Sequence, residues 1–458
     1  MADLAAGEKA LKNGDYAAAL KEFLPLAMQG NAVAQCNLGV LYATGQGVAQ
    51  NCKEAAKWWH LAAEQGNAFA QYNLGLLYAQ GQGVAQDYKE AAKWYGLAAE
   101  QGHASAQSSF GLLYGTGQGV AQDYKEAAKW FGLAAQQGDA SAQFNLGLLY
   151  DKGRGVVQDY KEAAKWYGVA AEQGQASAQF NLGLLHNEGR GVAQDCKEAA
   201  KWWHLAAEQG QAVAQFNLGI LYHDGQGVAK DYKEAAKWYR LAAKQGQAIA
   251  QFNLGLLYDE GQGVARDYKE ASKWYGLAAE QGAARAQYNL GFLYAHGRGV
   301  AQDYKEAAKW YRLAAEQGDA VAQLNLGVQY ASGQGVAKDY KEAAKWYGLA
   351  AKQGEASAQF NLGVLYAAGQ GVAQDYKEAV KWYRLAAKQG NASARLNLGV
   401  LYATGQGVPQ DYIQAHMWFN LASASGDASG IENRDIIARK MTPEQIAEAQ
   451  RRAREWKP

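Results

Sequence analysis

The sequence predicts an all-α solenoid, and three observations predict it. The chain of 458 residues repeats every 36 residues, nearly verbatim: Tyr72-Asn73-Leu74-Gly75-Leu76-Leu77-Tyr78 returns as Phe144-Asn145-Leu146-Gly147-Leu148-Leu149-Tyr150 and as Phe252-Asn253-Leu254-Gly255-Leu256-Leu257-Tyr258. A glycine closes every unit, from Gly30, Gly66 and Gly102 to Gly426, with no slip in register. Apolar residues within each unit fall at helical spacing, and the whole chain holds only 4 prolines. A fixed period of this length means stacked modules whose core is spread along an axis, not a globe with one deep active site. Eleven full units, 31–66 through 391–426, are expected between a partial or capping repeat over 1–30 and C-terminal capping helices over 427–458.

Residues 67–102 show how one unit works. A first helix is expected from about Ala68 to Ala79, with Ala70, Leu74, Leu77 and Tyr78 on one stripe. Gly75 sits mid-helix at a cost of about 1 kcal/mol against alanine, so another helix is expected to approach closely there. Gly81 and Gly83 break the helix, and Val84 anchors the turn. Asp87 with Glu90 three residues later forms a capping-box pattern. The second helix runs from about Tyr88 to Gln101 and stops at Gly102, a left-handed C-terminal cap. It is apolar around most of its circumference: Tyr88, Ala91, Ala92, Tyr95, Ala98 and Ala99 form a face that Trp94 and Leu97 widen. Positions 89, 93, 96 and 100 are left for solvent. Burying Leu74, Leu77, Val84, Trp94, Tyr95 and Leu97 contributes about 1.5–3 kcal/mol each before entropy is subtracted. One hairpin cannot bury these faces alone, so stability must come from stacking, with the next unit's first helix as cover.

Composition excludes several function classes. The 45 basic and 44 acidic side chains leave a net charge of +1 with no basic stripe, which disfavours nucleic-acid binding. No apolar run approaches the roughly 20 residues of a membrane helix, so no membrane insertion is expected. The cysteines, Cys36, Cys52 and Cys196, are odd in number and include no CxxC pair, so a zinc site is not expected. They stand in columns that otherwise hold aromatics. They read either as buried thiols or, for Cys36 and Cys52, as a bridge across the two helices of one unit.

The string Ala-x-Ala-Gln-x-Asn-Leu-Gly-x-Leu-Tyr-x-x-Gly-x-Gly-Val-x-x-Asp-Tyr-x-x-Ala-x-x-Trp-Tyr-x-x-Ala-Ala-x-Gln-Gly resembles the Sel1-like repeat, a longer-looped relative of the tetratricopeptide repeat. Residues 34–66 and each later unit carry it. The resemblance implies a right-handed α-solenoid with first helices on the concave wall and second helices on the convex wall. Both ends share it. Asp3 to Gly7 and Gly14 to Leu20 resemble the first mature segment of exported bacterial members. Trp418 to Ala422 and Met441 to Gln445 resemble their C-terminal cap, where Thr442-Pro443-Glu444-Gln445 is a helix-start signature whose helix presents Ile446, Ala449, Ala453 and Trp456 inward. The start, Met1-Ala2-Asp3, has neither a basic nor an apolar stretch. The resemblance therefore points to a mature protein of the bacterial periplasm or exterior, with a cytoplasmic member as the alternative.

Binding residues are sought on the first-helix face away from the core, at positions equivalent to 69, 72, 73, 76 and 80. Positions 72 and 76 are apolar in most units, with Cys36, Ser108 and Gln329 as interruptions at or near them. They read as packing between first helices or as an apolar floor for a peptide. Position 73 is asparagine in every unit except at Ser109 and includes Asn145, Asn181, Asn217, Asn253 and Asn289. This ladder either grips the backbone of an extended peptide or bonds to neighbouring helices. Positions 79 and 80 differ between units. Outer units carry small neutral pairs such as Ala43-Thr44, whereas middle units carry Asp151-Lys152, Asn187-Glu188, His223-Asp224 and Asp259-Glu260, followed by His296. These middle residues read as a drifted solvent edge or as an acidic recognition site for a basic partner. Position 96 alternates glycine with His60, His204, Arg240, Arg312 and Arg384, an outer face suited to solubility.

No catalytic or cofactor motif emerges. Gly45-Gln46-Gly47 and its copies lack the third glycine, the preceding strand and the lysine of phosphate-binding loops. The 7 histidines form no His-Glu-x-x-His pair, and no metal site is assigned, although His223, Asp224 and Asp259 could converge on one. Cysteine-rich relatives linked to β-lactams carry a cysteine pair in each repeat, which this chain lacks. The expected role is a non-catalytic, monomeric scaffold for a protein or peptide partner. The rivals are a β-lactam-binding enzyme and an engineered array without a partner. Ser108-Ser109-Phe110, Val157 and the stray cysteines speak against design and fit duplication followed by drift.

Overall fold

The computed structural model describes residues 2–424 and 428–456, so Gly426 and Asp427, where the last unit was expected to end, lie outside the described residues. Among the described residues there are 26 helices and no strand. They form two compact units, residues 1–230 and 231–458, each a run of helix pairs.

The pairs follow the local rules. The first helix Ala68–Gln80 ends because Gly81 adopts φ +69°, and its N–H donates to the Leu77 carbonyl. The turn closes when the Asp87 N–H donates to the Tyr78 carbonyl at 2.9 Å. The Asp87 carboxylate then caps the second helix, Tyr88–Glu100, accepting from the N–H groups of Lys89 and Glu90. The reciprocal half of the expected capping box is absent. Glu90 turns instead to Lys93, 3.6 Å away, and this pairing recurs in later units, as at Glu306 and Lys309 at 3.2 Å. Such exposed pairs contribute little.

Two glycines are demanded by close approach. A Cβ on Gly75 would lie 2.7 Å from the Tyr95 ring, so the mid-helix glycine admits the aromatic of its own second helix. At Gly83, φ is +73° and a Cβ would lie 2.3 Å from the Cys52 carbonyl carbon, which presses the turn onto the preceding second helix.

Packing corrects the predicted solvent face by one position. Leu97 is 39% exposed, whereas Gly96 is buried. Phe110 of the next pair covers Gly96, 3.3 Å from where a Cβ would stand, whereas Leu97 is exposed like its equivalents Leu61, Leu133 and Leu277. Stacking recruits more than a neighbouring first helix. In the first unit, Trp94 joins Ala55, Ala56, Leu74 and Leu77 in one cluster; in the second, Trp346 joins Ala307, Ala308 and Leu326. Val157, which departs from its column, is exposed.

A buried glutamine ties each stack together. Gln71 donates to the Ala63 carbonyl of the preceding second helix at 3.1 Å, and its oxygen accepts from Gln101 of its own second helix at 2.7 Å. In the second unit, Gln287 donates to the Ala279 carbonyl at 3.1 Å and accepts from Gln317 at 2.8 Å. Arg395 takes this position in the last repeat and donates to the Ala387 carbonyl at 3.2 Å. Its guanidinium also lies 5.1 Å from the Trp456 ring centroid. The terminal helix Pro443–Glu455 starts with a complete capping box between Thr442 and Gln445. It buries Ala449 and rests Ala453 and Trp456 on the Trp418 cluster.

The three cysteines are free thiols, so no Cys36–Cys52 bridge forms. Burial pushes the Cys36 thiol up to about 11, whereas Cys52 and Cys196 are half-buried. At about pH 8, iodoacetamide should modify Cys52 and Cys196 well before Cys36, as read by peptide mass spectrometry. Replacing Gln287 with leucine should lower the urea midpoint by the equivalent of about 1–3 kcal/mol, because two hydrogen bonds are lost together, the one to the Ala279 carbonyl and the one from Gln317. An unchanged midpoint would show that the glutamines are not structural ties.

Candidate functional site

The wall formed by the first helices carries the residues that differ between units. In the first unit, Asn145, Asn181 and Asn217 are half-buried, and so are Asn253 and Asn289 in the second. Part of the ladder faces inward. Asn181 stands beside the Tyr167 hydroxyl and Asn289 beside that of Tyr275, one position in the stack earlier. Others bond within their own helix: Asn73 donates to the Phe69 carbonyl at 2.8 Å and Asn325 to the Val321 carbonyl at 2.9 Å. Burial raises both tyrosines well above the ordinary phenol range, so they stay protonated donors.

The acidic residues are mostly partnered locally. In the first unit, Asp151 is buried and pairs with Lys152 at 2.9 Å, Glu188 pairs with Arg190, and Asp224 meets His223 at 2.7 Å. In the second unit, Asp259 accepts from the Tyr275 hydroxyl at 3.1 Å, while Glu260 is exposed. His296 also belongs to this unit; its Nδ1 lies 2.9 Å from the Phe292 carbonyl. Counting acids along the sequence overstated the charge of the first-unit set, because Lys152 and Arg190 answer two of its three carboxylates. No group of three or more His, Cys, Asp or Glu able to hold a metal exists among the described residues. None of their helices is long and apolar enough to cross a membrane.

The arginines at position 96 are structural as well as solubilising. Arg240, Arg312 and Arg384 donate to the hydroxyls of Tyr258, Tyr330 and Tyr402 at 2.7, 2.7 and 2.5 Å. Each thereby joins a second helix to the following first helix. His60 instead stands edge-on to Trp94, with ring centroids 5.5 Å apart.

One cavity on the first-helix wall of the second unit stands apart from the repeat. It measures about 330 Å³ and is lined in part by His296, Tyr304, Tyr311, Asn325, Gln329 and Gln334. Gln329 does not belong to the outward columns near which the sequence reading placed it. It occupies the core position filled by leucine in every other unit, from Leu41 to Leu293 and again at Leu365 and Leu401. It is only 4% exposed. Its Nε2 donates to the Tyr304 carbonyl at 3.2 Å, but its Oε1 has no hydrogen-bond partner. Strict comparison of each core column would have found it.

The Sel1 repeat profile matches eleven consecutive segments, from 32–67 to 392–427. The chain belongs to the Sel1 repeat family. Among solved structures, this Sel1 repeat protein is similar to c5321, a protective antigen of uropathogenic Escherichia coli displaying an SLR fold. The two are 40% identical, with a TM-score of 0.84 over 95% of this chain and 94% of that one. It is also similar to a Sel1 repeat protein from Oxalobacter formigenes, at 36% identity and a TM-score of 0.52 over 66% of this chain and 88% of that one. No curated protein sequence matches it.

Returning Gln329 to leucine should raise stability by about 1–3 kcal/mol, because an unpartnered buried acceptor is removed while side-chain volume is kept. A lower urea midpoint would show that the amide is satisfied in solution.

Proposed function

We propose that this Sel1 repeat protein is a non-catalytic, monomeric scaffold that holds a protein or peptide segment along its first-helix wall, the concave wall of related solenoids. The observation that carries the reading is the division of labour among columns. Constant positions are consumed by packing and caps: Gln71 and Gln287 tie helices, Asp87 caps, and Gly75 admits Tyr95. The first-helix positions at 79 and 80 change from unit to unit while the helices keep the same length and the same glycine C-cap, which is where selectivity can reside.

The segment we infer is extended and carries a basic residue. Asp259 and Glu260 offer it charge in the second unit, and Asn253 and Asn289 offer polar contacts along the same wall. In the first unit, Asp151, Glu188, His223 and Asp224 act through hydrogen bonds more than net charge, given the partners of the first three. We place the protein outside the bacterial cytoplasm, in the periplasm or secreted. The resemblance of both termini to exported members supports this, as does likeness to a protective antigen.

Peptides selected by display against the full chain test the reading. The paired change Asp259→Asn and Glu260→Gln should weaken the best basic binders about tenfold at low salt, with a smaller loss at high salt. Replacing Lys237 and Lys273 on second helices with glutamine should leave affinity unchanged. The opposite pattern would move the binding surface off the first-helix wall.

A further inference from the structure

We propose that the cavity beside Gln329 is a binding site for one neutral carboxamide group, carried by a partner's asparagine or glutamine side chain or by a free small amide. The starting point is an exception within an otherwise uniform column. Ten of the eleven units place leucine where the ninth places Gln329, so an amide enters a position built for an apolar side chain. Its donor end is used on the Tyr304 carbonyl, and its acceptor end is buried and unpartnered. A buried acceptor without a donor is uncommon in folded proteins, and a ligand N–H would satisfy it.

The surrounding chemistry narrows the ligand. The cavity of about 330 Å³ is at the small end of ligand pockets. None of its lining residues is Asp, Glu, Lys or Arg, so a charged ligand would meet no countercharge. The Phe292 carbonyl can only accept, so neutral His296 carries its proton on Nδ1 and leaves Nε2 as a second acceptor. Burial keeps the Tyr311 phenol protonated, well above its ordinary value, and hence a donor. Two acceptors and a donor complement the two N–H groups and one carbonyl of a primary carboxamide. Val328 in the lining suits the methylene that carries it. The site does not require an extended segment on the rest of the wall, so it goes beyond the scaffold reading.

Ligand-observed saturation-transfer NMR on the full chain can test this with four probes. Propionamide represents a free amide, and N,N-dimethylpropionamide is its control without N–H groups. N-acetylglutamine N-methylamide represents a peptide-borne amide, with the norvaline analogue as control. At least one amide should bind about tenfold more tightly than its control, and Gln329→Leu, which restores the leucine column and should fold, should abolish the preference. Preference for the glutamine probe alone would identify a polypeptide source, and preference for propionamide alone a small molecule. Equal binding of amides and controls, retained preference in Gln329→Leu, or no binding of either amide would overturn the proposal. So would a crystal structure in which an ordered water bound to Gln329 Oε1 stays in place at saturating amide. Unchanged peptide binding in the Asp259→Asn, Glu260→Gln chain, with amide binding intact, would count against the scaffold reading alone.

Discussion

The hydrogen bonds of one buried glutamine per repeat hold the stacking geometry. Gln71 reaches back to the Ala63 carbonyl at the end of the preceding second helix, which also accepts from the Gly66 N–H, and receives Gln101 from its own second helix. Three helices thus meet at one amide, at 4% exposure or less in the units that carry it. A slip of one residue would strand its buried polar atoms, so the bond selects register as well as adding stability. In the last repeat, Arg395 keeps the backward bond to Ala387 and also lies against Trp456 of the terminal helix, a change suited to the end of a stack.

Uniform register has a functional consequence. Once repeats stack alike, each sequence position becomes a row of side chains, and a change in one unit alters a row at a known place. Rows at the core tolerate little. Gly75 has no room for a methyl group against Tyr95, and Gly83 has none against the backbone at Cys52. Gln329 is notable because it breaks a core row and leaves its Oε1 without a partner in the protein, whereas Asp259, which departs on the first-helix wall, obtains the Tyr275 hydroxyl. That contrast separates drift that the fold absorbs from a departure that asks for a ligand.

Much of the fold was legible. The glycine stops, the Asp87 cap, the close approach of another helix at Gly75 and the Thr442 start were all readable from spacing, backbone geometry and capping. Misreadings arose where a second element decided the outcome. Gly96 is buried because Phe110 arrives from the next pair, while Leu97 is exposed as its equivalents Leu61 and Leu133 are. Glu90 leaves the capping box because Lys93 is one turn away. The site was less legible than the fold. Asp151, Glu188 and Asp224 were counted as free acids, but Lys152, Arg190 and His223 stand beside them. The asparagine ladder was open between a peptide and a neighbouring helix, and Asn181 and Asn289 stand beside buried tyrosines of the preceding second helix.

The sequence by itself determined the helical repeat, its period, its turns and its family, because these depend on spacing and backbone preference within about 36 residues. Tertiary structure alone decided which polar groups are spent and which remain. Satisfaction of a hydrogen bond depends on atoms contributed by another repeat, and no single unit's sequence contains them. The glutamine ties, the arginine–tyrosine joints and the unpartnered oxygen of Gln329 therefore emerged only once the repeats were stacked.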